Sequence, residues 1–408
     1  MTGVAGLVAV LGAIFGWHGL KRLPASSRGL FAAFLFYVVI ALVSLINNEN
    51  WHAAGERFEK YHPFLFAIPL MGWLALMRDH LQRTLLIGMM SSGTVITMIA
   101  LYEKFVLHAE RVGYFSGLEP NIFGHVGSLI ALTLCGYLLL AELPRPLRLL
   151  IGVLIIGTLF SVLATGTRGA VAAFLAGFVA LTSTWLLRDG LSRQRLMQLA
   201  GLLAVILGLL TVAFMASDFW QAHWARLVEE PGRFLAGDTT YSSTAARATM
   251  WISGWKTGMA NFWIGTGIGD NQIDYDRLMA AGELPPIPGN SNFHLHNIFV
   301  DAFASTGITG LLSLLLAVFL MPLRYLHASL ADENATSEEK IAAITGIAIL
   351  ANGFVFGLTF SWAYIRGLHF FLLLLLSLLV LSRPVRSSPS NLAVRNDDYQ
   401  NRKPGASR

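Results

Sequence analysis

The sequence predicts an all-α integral membrane protein with about 11 or 12 transmembrane helices and a large helical loop on the outer face. Three observations predict this class. Hydrophobic residues make up 55% of the 408 residues, whereas charged residues make up only 13%. Apolar runs of about 20 residues, the length of helix that crosses a bilayer, recur along the chain. Of the 29 Lys and Arg residues, 18 fall in loops between alternate runs or in the C-terminal tail, as is typical of cytoplasmic segments.

The apolar runs give the predicted spans in order. The runs are Thr2–Trp17, Leu30–Ile46, Pro63–Met77, Leu85–Tyr102, Ile122–Leu140, Leu149–Ala164, Ala170–Leu187, Leu196–Ala216, Ile298–Met321, Ile341–Phe360 and Leu368–Leu381. The first run has no basic residue before it and no small-residue cleavage site after it, so we interpret it as a retained span. The basic flanks Arg145–Arg148 and Arg188–Arg195 place the long loop outside the cytoplasm and the C-terminus inside it.

Charge and cysteine content exclude several other classes. The net charge of +5 follows from the basic loops and therefore indicates topology, not a nucleic-acid partner. The single Cys135 lies inside an apolar run, so neither a disulfide framework nor a cysteine metal site is available. Residues 1–382 are predicted to form one membrane domain. The polar tail 383–408 is predicted to be a disordered cytoplasmic segment.

The loop 217–296 is far longer than a connection requires, and loops of that length are usually functional or disordered. Its tryptophans argue against disorder and indicate either packing at the membrane interface or a folded cap over the helices. The sequence predicts a helix over Ala245–Phe262, capped by Ser243 or Thr244, and a short helix over Gln272–Ala281.

The stretch Gly265–Gly269 separates these two predicted helices. It superficially resembles a dinucleotide-binding loop, but it follows no strand and lies outside the cytoplasm, so we reject that interpretation. On the first cap helix, Arg247, Trp251 and Trp255 are spaced to share one face. This aromatic face is interpreted either as a sugar-stacking surface or as an interface anchor, which is the more common use.

His294 and His296 stand where the polar loop becomes a membrane helix. Desolvation at such a position lowers the pKa of a histidine, which keeps the imidazole neutral and able to accept a proton. An interfacial residue that only anchors the helix end is an equal alternative. A His-x-His metal pair is a third interpretation, but no spacing of further ligands supports it. Asp301, a little over one turn later, is placed either to orient His296 or, equally, to pair with a backbone group or a lysine.

Three arginines are predicted at the outer ends of the helices: Arg111, Arg168 and Arg247. An arginine at a membrane boundary is costly unless it snorkels or pairs, and snorkelling explains each one singly. Three on one face beside a candidate base indicate an anion site, because guanidinium groups bind phosphate oxygens bidentately and stay charged.

His296-Asn297 followed by Gly307-x-x-Gly310 resembles the signature of the O-antigen ligase and polymerase superfamily. The resemblance covers residues 111–310. Its supporting features, in the order found in that family, are the turn Thr167-Arg168-Gly169, the helix with Arg247-x-x-x-Trp251, the glycine-rich Gly265–Gly269 and the long loop before the motif.

The resemblance implies a glycosyl transfer at the periplasmic face of a bacterial inner membrane, without nucleotide sugar, cofactor or metal. A glycan on undecaprenyl diphosphate moves to a hydroxyl of lipid A–core oligosaccharide, with inversion of the anomeric carbon. It implies His296 as general base, Arg168 and Arg247 on the diphosphate, and Arg111 as a third contact. His294, Asn297 and Trp251 are expected to contact substrate.

Three alternatives remain open from the sequence. A polymerase of the same superfamily joins repeat units while both are on the polyprenyl carrier. Protein O-oligosaccharyltransferases share the fold but tend to carry a longer C-terminal region than this polar tail. A transporter belongs to a different class and places its polar residues near the midplane of its spans. Here they cluster at the outer ends, which argues against transport.

Overall fold

The computed structural model describes residues 16–215, 243–287, 294–361 and 367–383, with a few isolated positions between 220 and 232. All regular secondary structure in these residues is helical. The helices are α1 Ser27–Ser44, α2 Trp51–Phe58, α3 His62–Leu76, α4 Arg78–Leu101, α5 Pro120–Leu140, α6 Arg145–Ala164, α7 Arg168–Asp189, α8 Arg193–Met215, α9 Ser243–Ala260, α10 Asn271–Ala280, α11 Ile298–Leu314, α12 Met321–Leu330, α13 Ser337–Gly357 and α14 Gly367–Leu381. The predicted span Thr2–Trp17 and the tail from residue 384 lie almost entirely outside the described residues.

Eight helical segments in the described part of the chain are long and apolar enough to cross a membrane, which confirms the predicted class. They are α1, α4 to α8, the continuous segment α11–α12 over Ile298–Leu330, and α13. The helices α3 and α14, each of 15 residues, occupy the two remaining predicted runs of this region. These two shorter helices pack against each other within the same bundle.

Contacts between helix ends show which ends lie together on each of the two faces of the bundle. At the end predicted to be cytoplasmic, which we call the inner face, the Arg78 guanidinium at the start of α4 lies 2.7 Å from Glu339 of α13 and donates to the carbonyl of Leu381, at the end of α14. At the opposite end, which we call the outer face, Arg111 donates to the carbonyl of Thr165, which follows α6. These contacts join the ends that the alternating basic loops predict to share a side.

Helices α5 and α13 form the centre of the bundle, with 83% and 72% of their spans buried. The side-chain N–H of Asn352 on α13 donates to the Ser128 hydroxyl on α5, and α7 packs against both helices. Small residues allow this close packing, which is typical of membrane helices. The packed centre fixes the outer ends of α5 and α7, where two of the predicted arginine segments lie.

Helices α9 and α10 form the predicted cap, and each lies within two residues of its predicted bounds. Ser243 and Thr244, predicted as capping residues, are instead the first helical residues of α9, a shift within the usual uncertainty of helix ends. The cap packs on the outer end of α11 through a small apolar cluster. Its buried members are Met250, Tyr275, Leu284, Leu295 and Ala304.

A break in α11 receives the loop between α9 and α10. Gly307 leaves the helical conformation at φ 66° and ψ −167°. The backbone N–H groups of Thr266 and Gly267 donate to the carbonyls of Ala304 and Ser305. The N–H of Ile308 donates to the carbonyl of Phe262, two residues beyond the end of α9. Broken helices inside a membrane protein are tolerated where other groups satisfy the freed backbone. The cap is therefore joined to the bundle by main-chain hydrogen bonds.

Candidate active site

His296 directly precedes α11 and has φ 49°, in the left-handed region that non-glycine residues seldom adopt. Asn297 then caps the helix, because its Oδ1 accepts from the N–H groups of Phe299 and Val300 at 2.9 and 3.2 Å. The Asn297 side-chain N–H also donates to the carbonyl of Leu358 at 3.2 Å. These bonds fix the backbone beside His296. The substrate-binding role of Asn297 stays a prediction, because its amide already has structural partners.

The imidazole of His296 lies in an aromatic setting. Its ring centroid is 4.0 Å from that of His294 and 5.6 Å from that of Phe360. Burial lowers the pKa of His296 to about 3, and electrostatic interactions with His294 and Arg247 lower it further. Its Nδ1 is buried and has no hydrogen-bond partner among the described residues. The imidazole is therefore neutral at physiological pH.

Arg168 begins α7 immediately after a tight turn in which Gly166 has φ 65°. Arg111 is tied to the same turn, since its Nε donates to the Thr165 carbonyl at 2.8 Å and one Nη donates to the Thr167 hydroxyl at 3.4 Å. The loop that carries Arg111 and the turn that carries Arg168 are thus one connected structure.

Arg247 comes to the same place from the cap helix α9. Burial is the main cause that lowers the pKa of Arg247, followed by the positive charges of Arg168 and Arg111. Glu119 and Glu230 act in the opposite direction. Because Arg247 also influences His296, the three predicted arginines and the predicted base share one electrostatic neighbourhood.

Helix ends add to the positive character of this region. The helices α5, α7 and α11 begin at the outer face with Pro120, Arg168 and Ile298. A helix N-terminus carries a partial positive charge and free backbone N–H groups. Together with the arginines, these ends make the outer face suitable for an anion.

The two tryptophans on the aromatic face of α9 differ in exposure. Trp251 is half-buried against the apolar cluster of the cap, and its Nε1 has no hydrogen-bond partner among the described residues. Trp255 is 59% exposed and its ring lies 5.3 Å from that of Phe303. A substrate contact for Trp251 stays a prediction.

The structure supports the pairing interpretation of Asp301, with an arginine in place of a lysine, and not the interpretation that it orients His296. The Oδ1 atom of this fully buried carboxylate lies 2.9 Å from the Arg57 guanidinium and accepts from Asn271 at 2.8 Å. Its Oδ2 has no hydrogen-bond partner among the described residues. Asp301 instead joins α2, α10 and α11, because an arginine and an amide from other helices reach it.

A polar segment after α1 holds the cap, a role that the sequence patterns did not predict. The carboxylate of Asp270 accepts from the backbone N–H groups of Glu49 and Asn50, both at 2.8 Å. The Asn47 side chain donates to the carbonyl of Gly265 at 2.9 Å. The polar run 47–50 at the end of an apolar segment was the available signal. Phe360, beside the His296 ring, was not predicted either, and no pattern marks it.

The described residues contain no group of three or more His, Cys, Asp or Glu side chains placed to hold a metal ion. What they do bring together is a neutral imidazole and several fixed positive charges. A neutral imidazole can accept a proton from a hydroxyl, and fixed cations can stabilise an anionic leaving group. The site therefore has the parts for a group transfer from a phosphate-bearing donor.

Comparison with known families gives one match. The family described as O-antigen ligase matches residues 151–315. This range runs from α6 to the end of α11 and includes Arg168, Arg247 and His296, whereas Arg111 precedes it. No curated protein matches the chain. The match covers 165 of the 408 residues and, together with the all-helical membrane architecture, it supports assignment to the O-antigen ligase family of glycosyltransferase-like ligases and polymerases.

Proposed function

We propose that the protein is an O-antigen ligase of the bacterial inner membrane. It transfers a glycan from undecaprenyl diphosphate to a hydroxyl of lipid A–core oligosaccharide at the periplasmic face. The observation that carries the proposal is the neutral, half-buried imidazole of His296 in the neighbourhood of the mutually repelling charges of Arg111, Arg168 and Arg247. Clustered cations of this kind are costly without an anion, and a lipid diphosphate supplies one.

His296 is the general base in this proposal. The acceptor oxygen attacks the anomeric carbon while its proton passes to the imidazole, and the bond from that carbon to the diphosphate oxygen breaks. A single displacement of this kind inverts the anomeric carbon. The imidazole is unprotonated before the substrates arrive. The negative charge of the bound diphosphate then raises its pKa towards the operating pH, where a general base works best.

Arg168 and Arg247 are proposed to hold the departing diphosphate, with Arg111 as a third contact. The leaving group gains negative charge as the bond breaks, so fixed guanidinium groups bind it more strongly in the transition state than in the ground state. No general acid is needed, since a diphosphate leaves without protonation when its charge is neutralised. The reaction proposed here uses no metal ion.

The base assignment is tested by His296→Ala, with His294→Ala as the matched variant two residues away. General-base assistance is worth about 10² to 10⁴ in rate, so His296→Ala should nearly abolish transfer from a synthetic polyprenyl-diphosphate glycan. His294→Ala should be milder, because His294 lies on the loop side and only shapes the approach of the acceptor. Donor binding should survive in both variants.

Full transfer by His296→Ala would overturn the base assignment. A chelator added to the wild-type assay tests the metal-free reaction, and loss of activity would reject it. The lipopolysaccharide profile of cells without the protein separates ligase from polymerase. A ligase defect leaves core without O-antigen and accumulates carrier-linked polymer, whereas a polymerase defect leaves core with a single repeat.

A further inference from the structure

A second polar site lies at the inner face, at the end of the bundle opposite His296. An open cleft of about 420 Å³ is formed there by the inner ends of α5, α6, α7, α8 and α13. Ligand pockets in proteins range from about 300 to 1,000 Å³, so the cleft has room for a small polar group. None of the residues proposed for glycosyl transfer lines it.

The lining of the cleft is predominantly basic. Its charged members are Arg148, Arg188, Arg195, Lys340, Glu142 and Asp189. Asp189 lies 3.7 Å from Arg188 and is neutralised by it. The remaining charges leave a positive excess, which favours an anionic ligand.

Two of the basic groups are available to a ligand. Neither the guanidinium of Arg148 nor the ammonium of Lys340 has an ion pair or a side-chain hydrogen bond within the described part of the chain. Arg195 differs, because it donates to the carbonyls of Asp189 and Gly190 at the end of α7. That contact covers the negative end of α7, which otherwise would repel an anion.

The backbone around the cleft is also favourable to an anion. Arg148 lies in the first turn of α6, Lys340 in the first turn of α13, and Gln194 at the start of α8. Three helix N-termini thus meet at the cleft, and their partial positive charges reinforce the side chains.

We propose that this cleft binds the phosphate-bearing headgroup of an anionic phospholipid from the inner leaflet. Exposed apolar side chains lie beside the cleft, namely Leu149, Leu187 and Leu196, each of which is the chain neighbour of a lining arginine. Acyl chains can follow such a surface, whereas a free phosphate has nothing to contact it. Basic pockets between helices on the cytoplasmic side of membrane proteins bind lipid headgroups by the same chemistry.

The test uses delipidated full-length protein and native mass spectrometry with added phosphatidylglycerol. Phosphatidylcholine with the same acyl chains is the neutral comparison, and inorganic phosphate is the soluble competitor. We expect saturable binding of phosphatidylglycerol that phosphatidylcholine does not reproduce and that millimolar phosphate does not displace. The double variant Arg148→Gln, Lys340→Gln should bind roughly tenfold more weakly or worse, because each basic contact with an anionic lipid contributes a few-fold.

The control variant is Arg145→Gln, Arg193→Gln. It removes the same charge from the same face, but both residues are exposed and lie outside the cleft. It should bind phosphatidylglycerol as the wild type does. If both double variants bind phosphatidylglycerol equally weakly, the loss is due to general surface charge and the proposal is overturned. Equal binding of phosphatidylcholine, or displacement by phosphate alone, would overturn the lipid assignment.

A single substitution provides a second test that does not depend on whether the double variant folds. The Ser192 hydroxyl accepts from the N–H of Arg195 at the start of α8, a role that aspartate fills equally well. Ser192→Asp therefore adds a negative charge to the cleft without removing the cap, and it should also weaken binding. Unchanged binding by Ser192→Asp would contradict the site.

Discussion

His296 combines a strained backbone with a shielded side chain. A non-glycine residue at positive φ costs roughly 1–3 kcal/mol and persists only where its surroundings hold it. Asn297 supplies that hold by capping α11 on one side and bonding to Leu358 on the other. The ring of Phe360 lies beside the imidazole and restricts its movement. The strain at His296 is offset by contacts that aim its ring, which is the arrangement expected of a positioned base.

The arginines can be tested by substitutions that keep their charge. Arg168→Lys and Arg247→Lys preserve a cation but lose the planar fork that binds two phosphate oxygens. If they hold the diphosphate, transfer should fall about tenfold or more in each variant, while membrane insertion stays normal. The measurement is initial rate with purified protein.

Arg277→Lys is the matched control for these two variants. Arg277 is an exposed cap residue paired with Glu49, and lysine keeps that surface pair, so its rate should match the wild type. Near-normal rates for Arg168→Lys and Arg247→Lys would mean that these arginines snorkel to the membrane interface and do not hold the diphosphate.

The pH profile tests the protonation state of His296. Its pKa is lowered from 6.5 to about 3, so the imidazole is neutral throughout the range in which histidine usually titrates. The kcat/KM of the free enzyme should therefore show no loss from this group between about pH 8 and pH 5. The diphosphate of a bound donor favours the imidazolium, so the acidic limb of kcat should lie at higher pH than that of kcat/KM.

Donor binding measured over the same pH range separates His296 from the donor's own ionisation. An acidic limb of kcat/KM near 6.5 with constant donor binding would mean that the imidazole is solvated, against the structure.

At the scale of elements, the first glycine of the His296 motif, Gly307, lies at the join between cap and bundle. Gly307 has φ 66°, and a Cβ there would lie 2.4 Å from the backbone carbon of Trp263. On the other side of the join, a Cβ on Gly265 would meet the backbone of Ser305 at the same distance. The two backbones approach so closely that only hydrogen fits between them.

Gly307→Ala should therefore destabilise the protein by at least the roughly 1–3 kcal/mol of a strained conformation. It should also release the cap, so transfer should fall as well. Thermal unfolding in detergent measures the first effect. Gly88→Ala in α4 is the control, since a Cβ at Gly88 meets nothing within 4 Å and should be neutral or stabilising. A Gly307→Ala protein as stable as wild type would contradict the close approach.

At the scale of the whole molecule, both ends of the bundle carry a polar site. The outer end gathers His296 and the arginines under the cap, whereas the inner end has the basic cleft. The Arg78–Glu339 pair joins three helices at the inner end, and the Arg57–Asp301 pair joins the cap region at the outer end. The proposed mechanism requires the outer end to face the periplasm.

Cysteine labelling tests that orientation. The native Cys135 is fully buried, so it does not compete for a membrane-impermeant thiol reagent. Ala281→Cys, exposed on the cap, should label in intact spheroplasts. Ser192→Cys, exposed at the inner end, should label only after lysis. The reverse pattern would place the cap in the cytoplasm and reject the proposed reaction.

The sequence by itself determined the membrane class and most of the helices. Span length follows from bilayer thickness, and basic residues mark the loops of one side. Both are local properties of the chain, so the bounds of α9 and α10 were also predicted to within two residues. The motif around His296 indicated the family, since its spacing is readable without a structure.

Only the tertiary structure decided which polar residues meet. Asp301 is five positions from His296, yet it pairs with Arg57 from a distant helix. Phe360 and the run 47–50 reach the site and the cap from parts of the chain with no shared pattern. The basic cleft is likewise assembled from five helix ends. These contacts depend on how helices pack across the bundle, and helix periodicity carries no information about which neighbour a helix will have.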